Sequence, residues 1–262
     1  MQASLFPDQA PSPVAALAPV SRIWTGCAGW SLPRALWPEF PAAGTHLQRY
    51  AARLNAVEIN SSFYRPHQPE TYARWAASVP DNFRFSVKLP KTITHQQRLV
   101  DCAGLLDTFL DQVNGLGERL GCLLVQLPPS LAFEAGTVTG FLRALRERHG
   151  GPVALEPRHA SWFTAPADPL LDAWQVGRVL ADPVVHQAGR LPGGFAGLVY
   201  VRLHGSPRMY YSAYDRAVLD ALIIRLELAA RSGANVWCLF DNTAEGAAVA
   251  DALYTRQGLT VR

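Results

Sequence analysis

Short apolar runs recur eight times along this chain with helical stretches between them, and this alternation constrains the fold more than any other feature. The runs cover residues 23–27, 56–60, 84–88, 122–127, 153–158, 178–182, 198–204 and 236–242. Helices are predicted at 47–54, 70–78, 105–116, 138–149, 170–174 and 214–231. Alternating strands and helices are typical of βα units around a parallel sheet. We therefore predict a single (β/α)8 barrel of the triosephosphate isomerase (TIM) type, with an open doubly wound sheet as the alternative.

The composition favours one folded domain. Of the 262 residues, 49% are hydrophobic and 17% are charged, which is enough apolar material for a buried core. Residues 1–22 are expected to form a disordered tail, because prolines at positions 7, 11, 13 and 19 break any helix there. Residues 23–262 are expected to form the barrel. No apolar run approaches the roughly 20 residues that span a bilayer, so we expect no membrane segment.

Charge and cysteine content limit the classes of partner. The net charge of +3 is too small to indicate a nucleic-acid or membrane surface, so a nucleic-acid partner has little support. The four cysteines, Cys27, Cys102, Cys122 and Cys238, show no CxxC spacing. We expect reduced thiols in a cytoplasmic protein, and we leave the oligomeric state open.

Polar and charged residues end nearly every apolar run. They are Glu58, Asn60, Lys88, Gln126, Glu156, Arg158, Asp182, Arg202, His204, Asp241 and Asn242. Barrel active sites lie at these carboxyl ends of the strands. Because side chains alternate along a strand, Glu58 and Asn60 share a face, and so do the residue pairs 156/158 and 202/204. Since unpaired charges in apolar strands are costly, we predict that these groups pair with one another in one pocket.

Ordered motifs along the chain resemble the YecE-like family, also called domain of unknown function 72. The motifs are GCAGW at 26–30 with Trp37, VEINSSFY at 57–64, Trp75 with Pro80, Phe83, Phe85 and Lys88, ITH at 93–95, QLPP at 126–129, EPRHASW at 156–162, YVRLHG at 200–205 and FDNT at 240–243. The resemblance runs from about residue 23 to the C-terminus and implies a TIM-type barrel with no established reaction. The chain departs from the family pattern at Cys27, Ala28 and Asp241, and we assign no role to Asp241.

Four residues are the catalytic candidates. Glu58 and Glu156 lie on predicted strands two and five, where they face each other across the mouth as an acid and base pair or as metal ligands. His204 is the best candidate for proton transfer, because the pKa of a free imidazole is about 6.5. Lys88 supplies a point charge or, if it is desolvated, a nucleophilic amine.

The remaining candidates are substrate-binding residues. Arg158 and Arg202 join Lys88 at the mouth, and three cations against two glutamates favour a ligand that carries phosphate or carboxylate. Trp30 and Tyr64 are candidates for a stacking wall. Thr243 is a candidate cap for the helix after strand eight, where backbone N–H groups can meet a phosphate. The other expected contacts are Asn60, His95, Gln126, Asp182 and Asn242.

The leading hypothesis is an enzyme that acts by acid–base chemistry on a small or nucleotide-sized anionic substrate, with no metal or other cofactor. One alternative is a non-catalytic binder of nucleic acid or phosphate, which would not need two opposed glutamates. The other is a metal-dependent barrel of the sugar-isomerase or apurinic-endonuclease type, with Glu58, Glu156, Asp182 and His204 as ligands. The three cations would repel a divalent metal at the same mouth, which counts against that alternative.

Overall fold

The computed structural model describes residues 23–261, so the tail predicted at 1–22 lies outside the described residues. The strands are β1 (Ile23–Ala28), β2 (Ala56–Ile59), β3 (Arg84–Lys88), β4 (Leu120–Gln126), β5 (Val153–Glu156), β6 (Val176–Arg178), β7 (Leu180–Asp182), β8 (Gly193–Gly194), β9 (Leu198–Leu203) and β10 (Asn235–Phe240). The helices are α1 (His46–Ala51), α2 (Pro69–Ala77), α3 (Ala103–Val113), α4 (Ala135–Arg146), α5 (Ala167–Ala173), α6 (Arg216–Arg231) and α7 (Ala247–Val261). Within residues 23–261, no helix is long and apolar enough to cross a membrane.

The ten strands form one mostly parallel sheet that is nearly barrel-shaped. Its order is β7-β9-β10-β1-β2-β3-β4-β5-β6-β8, and only the pairing of β6 with β8 is antiparallel. The run predicted as one strand at 178–182 is divided into β6 and β7. β6 pairs with β5, and β7 pairs with β9, with Val179 alone between them. Residues 176–182 therefore pair with β5 near one end of the strand order and with β9 near the other end.

The segment after β7 departs from a strict repeat of eight βα units. Residues 183–197, all of which the structure describes, contain a short 3-10 turn and the two-residue β8 but no α-helix. Two prolines and four glycines in this segment explain the difference, since both residue types disfavour helix interiors. The other strands that pair in parallel, apart from β6, are followed by a covering helix, as the sequence predicts.

Several strands end earlier than predicted. β2, β5, β9 and β10 end at residues 59, 156, 203 and 240, so Asn60, Arg158, His204 and Asn242 belong to the loops that follow. Asn60 is already in the right-handed helical region and precedes a 3-10 turn. Pro157 cannot donate to a sheet ladder, and Gly205 has a positive φ of 93°. These residues turn the chain away from the sheet.

Two apolar layers hold the sheet in place. Outward-facing strand residues pack beneath the helices, for example Phe85 and Leu123 with Leu106 of α3. A smaller cluster lies on the inner face and includes Ala56, Leu124, Ala154, Val179, Tyr200, Trp237 and Leu239. Side-chain alternation produces this division, because neighbouring residues of one strand belong to different layers.

Stacked aromatic rings fill the lower part of the inner face. The ring of Trp237 lies 5.3 Å from that of Trp24 and 5.9 Å from that of Tyr200, and both pairs are stacked. Gly121 permits this packing. The register between β3 and β4 shifts at that position, and a Cβ on Gly121 would lie 2.6 Å from Cζ2 of Trp237. The aromatic stack therefore requires a residue without a side chain opposite it.

We expect Gly121→Ala to lower the free energy of unfolding by roughly 1–3 kcal/mol, the usual cost of overpacking a core. Gly140→Ala in α4 is the matched control, because its added Cβ would meet nothing within 4 Å. The control should gain about 0.5–1 kcal/mol from helix propensity. Denaturant unfolding of both variants measures the difference. Equal stability of the two variants would contradict this account of the aromatic stack.

Candidate functional site

The centre of the site is the guanidinium of Arg202, which is 1% exposed and surrounded by three carboxylates. Its Nε and Nη2 donate to Oε2 and Oε1 of Glu58 at 2.9 and 2.8 Å. Its Nη1 donates to Oε2 of Glu156 at 2.7 Å, and Nη2 also donates to Oδ2 of Asp241 at 2.9 Å. Arginine's planar fork suits this arrangement, because it presents several donors in one plane. Strands β2, β5, β9 and the end of β10 therefore meet at one side chain.

The position of Arg202 follows from alternation along β9. Tyr200 and Arg202 both face inward, and Tyr200 stacks on Trp237 beneath the guanidinium. The hydroxyl of Tyr200 donates to Oε2 of Glu58 at 3.1 Å and lies 2.8 Å from Oγ of Ser86. Burial and the nearby Glu58 carboxylate raise the pKa of Tyr200 well above its usual value, so the phenol stays protonated. The aromatic layer thus supports the ionic layer through one hydrogen bond.

His204 lies at the outer edge of this arrangement and contacts two of the carboxylates. Its Nδ1 lies 3.0 Å from Oδ2 of Asp241, and because a carboxylate only accepts, Nδ1 carries the proton. Its Nε2 lies 3.2 Å from Nη2 of Arg158 and 3.7 Å from Oε1 of Glu156. Nε2 therefore faces both a donor and an acceptor, so either protonation state of the imidazole has a partner.

Arg158 completes the set, which we call the ionic network: Glu58, Glu156, Asp241, Arg158, Arg202 and His204. Nε of Arg158 donates to Oε1 of Glu156 at 2.6 Å, and its Nη2 contacts the same oxygen. The side chain of Arg158 is 16% exposed, whereas those of Glu156 and Arg202 are 0% and 2% exposed. Arg158 is therefore the cation of the network that solvent reaches.

The network perturbs the pKa values of its members in defined directions. Burial opposes ionisation of Glu156, but Arg202 and Arg158 outweigh it and hold the pKa of that carboxyl well below its usual range. The pKa of Asp241 is lowered in the same way, by Arg202 and the hydrogen bond from His204 acting against burial. Burial also disfavours charge on His204, yet its contacts with Asp241 and Glu156 raise its pKa above the ordinary value. The imidazolium form is therefore more stable than it is in a free histidine.

Lys88 ends β3 on the inner face and is 6% exposed. Its Nζ lies 4.1 Å from the centre of the Phe63 ring. Burial and the positive charge of Arg202 lower the pKa of Lys88, and the carboxylates of the network only partly oppose this. The His95 ring packs edge-on against the Phe63 ring, and the two ring centres are 4.9 Å apart. Lys88, Phe63 and His95 form an amine-bearing cluster beside the ionic network.

Three predicted binding residues point elsewhere. The carboxylate of Asp182 accepts a hydrogen bond from Tyr214 at 2.6 Å and belongs to a different group of contacts. Asn242 is fully buried and donates to Ser212 and to Asp251. Thr243 is exposed, and α7 begins only at Ala247, so Thr243 does not cap that helix as expected. In each case the strand has ended or the side chain lies on the outer face.

The four remaining candidates border the mouth without joining the network. Trp30 packs edge-on against Trp75 at 5.1 Å. Tyr64 is 67% exposed, and its ring contacts Phe63 rather than any charged group of the network. Gln126 donates to the backbone oxygen of Leu127 at 2.8 Å. In Asn60, Oδ1 is buried and has no hydrogen-bond partner within residues 23–261. The structure thus leaves these four as candidates for ligand contact.

Sequence reasoning missed two members of the site, Asp241 and Tyr200. Asp241 was set aside because it departs from the family pattern, and the neighbouring Asn242 was chosen instead. Alternation along β10 would have corrected this, since Trp237 and Leu239 face inward and Asp241 continues that series. Tyr200 could have been found in the same way from Arg202, two residues further along β9.

The fold and site define an α/β protein with a nearly barrel-shaped sheet and an ionic network at the carboxyl ends of its strands. Across the described residues, no group of three or more His, Cys, Asp or Glu side chains is arranged to hold a metal ion. The chain belongs to the family described as Protein of unknown function DUF72, whose family model matches residues 24–262. The family resemblance predicted from the sequence motifs is confirmed.

Two curated relatives have related sequences. The UPF0759 protein YecE of Escherichia coli K12 is 34% identical over 142 residues, which cover 54% of this chain and 50% of YecE. The UPF0759 protein YunF of Bacillus subtilis 168 is 28% identical over 151 residues, which cover 55% of this chain and 53% of YunF. The similarity therefore spans about half the length of these curated relatives.

Two solved structures share the fold. A DUF72 family protein from Enterococcus faecalis V583 superposes with a TM-score of 0.75 at 21% identity, covering 92% of this chain and 96% of that one. A DUF72 family protein from Thermotoga maritima MSB8 superposes with a TM-score of 0.73 at 24% identity, covering 91% and 99%. At these identities the likeness establishes the fold alone.

We expect Arg202→Met to lower the free energy of unfolding at pH 7 by about 3–5 kcal/mol, because it leaves buried carboxylates without their counterion. Unpaired carboxylates have raised pKa values in the folded state, so the deficit should shrink as pH falls and they become protonated. Arg148→Met, which removes a surface ion pair with Asp107, is the control and should cost under about 1 kcal/mol. Urea unfolding at pH 5 and pH 8 provides the measurement. A variant as stable as the native protein would show that the network does not hold the fold.

We also expect His204 to titrate above about 6.5, the ordinary value for histidine. Because this folded-state pKa is raised, the stability it contributes is complete below about pH 6.5 and is lost as pH rises through the folded value. Asp241→Asn should lower the His204 pKa by removing its Nδ1 partner. Imidazole NMR titration, assigned with His204→Gln, measures the shift. A His204 pKa that does not respond to Asp241→Asn would contradict the observed contact.

Proposed function

We propose that this protein is an enzyme that binds a small anionic substrate at the mouth of its sheet and moves protons through His204. The observation that carries the proposal is the position of His204, with one nitrogen on Asp241 and the other between Glu156 and Arg158. A histidine that needs only a structural partner does not need partners for both protonation states of its second nitrogen. A group placed in this way can give a proton and take it back.

The proposal includes a closed (β/α)8 barrel of the TIM type. Its support is the pairing of β6 with β5 and of β7 with β9, with Val179 donating to the carbonyl of Leu155 at 2.9 Å between them. If β6 and β7 are the two halves of one strand, the parallel strands number eight and the antiparallel β8 is an addition. The mouth is then the usual position of a barrel active site.

The anionic substrate is supported by the charges at the mouth. The three carboxylates Glu58, Glu156 and Asp241 face four basic groups, namely Arg158, Arg202, Lys88 and His204. Arg202 donates to all three carboxylates, so its donors are already engaged and it is not the group that first meets a ligand. Arg158 and Lys88 lie further out. With His204 protonated, the mouth carries a net positive charge that a phosphate or carboxylate would neutralise.

The alternative of a divalent metal at these carboxylates finds less support in the geometry. Both oxygens of Glu58 and both oxygens of Glu156 accept hydrogen bonds from guanidinium groups. A metal ion would have to displace Arg202 or Arg158 and would then lie next to their positive charge. We therefore retain an acid–base mechanism without an obligatory metal.

We also retain a cytoplasmic location for the protein. Its support is the presence of four buried cysteines with free thiols.

The test is anion binding, measured by thermal shift and calorimetry with inorganic phosphate, pyruvate and ribose 5-phosphate. At least one of these anions should stabilise the native protein. Arg158→Met should weaken that binding by roughly 1.5–3 kcal/mol, the range for a hydrogen bond to a charged group. Arg143→Met, which removes an exposed arginine of α4, should bind like the native protein. If no anion stabilises the native protein, or if Arg158→Met binds equally well, the anionic-substrate proposal fails.

A further inference from the structure

The chain contains only two lysines, Lys88 and Lys91, among its 24 basic Lys and Arg residues. Arginine therefore supplies nearly all the positive charge in this protein, including the buried centre of the ionic network. Lysine and arginine differ in one chemical respect that matters here: an amine can lose its proton and become a nucleophile, whereas a guanidinium stays charged. The one buried lysine lies at the mouth of the site, and Lys91 is exposed.

In the part of the chain that the structure describes, Lys88 lacks the carboxylate partner that a buried ammonium usually has. No salt bridge within residues 23–261 includes Lys88, although three carboxylates lie in the same mouth. The oxygens of Glu58 and Glu156 are engaged by guanidinium groups, as described above. The Lys88 amine instead lies over the face of the Phe63 ring at 4.1 Å. Burial and the charge of Arg202 lower the Lys88 pKa, and Glu58, Glu156 and Asp241 oppose this without reversing it.

A neutral base, His95, packs against the same aromatic ring as this amine. Nδ1 of His95 lies 2.9 Å from Oγ1 of Thr94, and Thr94 can direct its own proton to the carbonyl of Pro90 at 3.4 Å. In that arrangement Nδ1 of His95 is the donor, and Nε2 keeps its lone pair. Burial, Lys88 and Arg98 lower the His95 pKa, so the imidazole is neutral. His95 packs against Phe63, the same ring that Lys88 covers.

We propose that Lys88 is a nucleophilic amine that forms an imine with an aldehyde or ketone substrate, with His95 as the base that accepts its proton. The lone pair of Nζ adds to the carbonyl carbon, and the carbonyl π electrons move to oxygen, which takes a proton to give a carbinolamine. The C–O bond then breaks, that oxygen leaves as water with the second N–H proton, and a C=N bond forms. No oxidant or reductant is required. This inference rests on the proposed function and narrows its substrate class to carbonyl compounds.

Reductive trapping tests the imine directly. The native protein is incubated with sodium cyanoborohydride and either pyruvate or glycolaldehyde, and the modified lysine is located by peptide mass spectrometry. We expect Lys88 to be modified severalfold faster than Lys91 with one or both probes, because burial and the charge of Arg202 lower the pKa of the Lys88 amine. With only two lysines in the chain, Lys91 is an internal reference in the same sample.

The variants separate the possible outcomes. Lys88→Arg keeps the charge and removes the nucleophile, so trapping at position 88 should vanish while Lys91 reacts as before. Lys91→Arg should leave modification of Lys88 unchanged. His95→Gln should slow trapping at Lys88 severalfold. If Lys88 reacts no faster than Lys91 with both probes, the imine proposal is overturned. Anion binding through Arg158 is measured separately, so the enzyme proposal can survive that result.

Discussion

The interaction on which the rest of the structure depends is the burial of one guanidinium among three carboxylates. Arg202 connects Glu58 of β2, Glu156 of β5 and Asp241 after β10, which come from three strands that are not neighbours in the sheet. Burying an ion pair is costly, and it is tolerated only when further hydrogen bonds satisfy the remaining donors and acceptors. Here Tyr200, His204 and Arg158 provide those bonds. The same contacts that satisfy the buried charges therefore hold the strand ends in register.

This arrangement divides the basic groups into two sets. Arg202 is committed to internal pairing, because removing it would leave buried carboxylates without a counterion. Of the other basic groups, the Arg158 side chain is 16% exposed, Lys88 is 6% exposed and His204 is fully buried. Beneath them, the stack of Trp24, Trp237 and Tyr200 places the Tyr200 hydroxyl against Glu58. The donors of the inner layer are engaged within the protein, and Arg158 is the cation of the network that solvent reaches.

Much of the site could be predicted, and the failures have specific causes. Alternation correctly placed Glu58, Glu156 and Arg202 on one face, because it is a local property of an extended strand. The same rule failed for Asn242, because β10 has already ended at Phe240. Asp182 was expected at the mouth, but its side chain turns to Tyr214. Asp241 was missed because a departure from a family motif outweighed the alternation that pointed to it. The sequence predicts that Arg202 binds an anion, whereas in the structure its donors are engaged by three carboxylates.

The sequence by itself determined the periodicity of strands and helices, the family, and the side chains that face the interior of the sheet. These properties depend on neighbouring residues, whose spacing the backbone geometry dictates. Only the tertiary structure decided which carboxylate pairs with which cation, which lysine is buried, and in which direction each pKa shifts. Those outcomes depend on distances between residues such as Glu58 and Arg202, which are 144 positions apart in the chain. Electrostatic interactions vary steeply with separation and burial, and neither quantity is contained in the order of the residues.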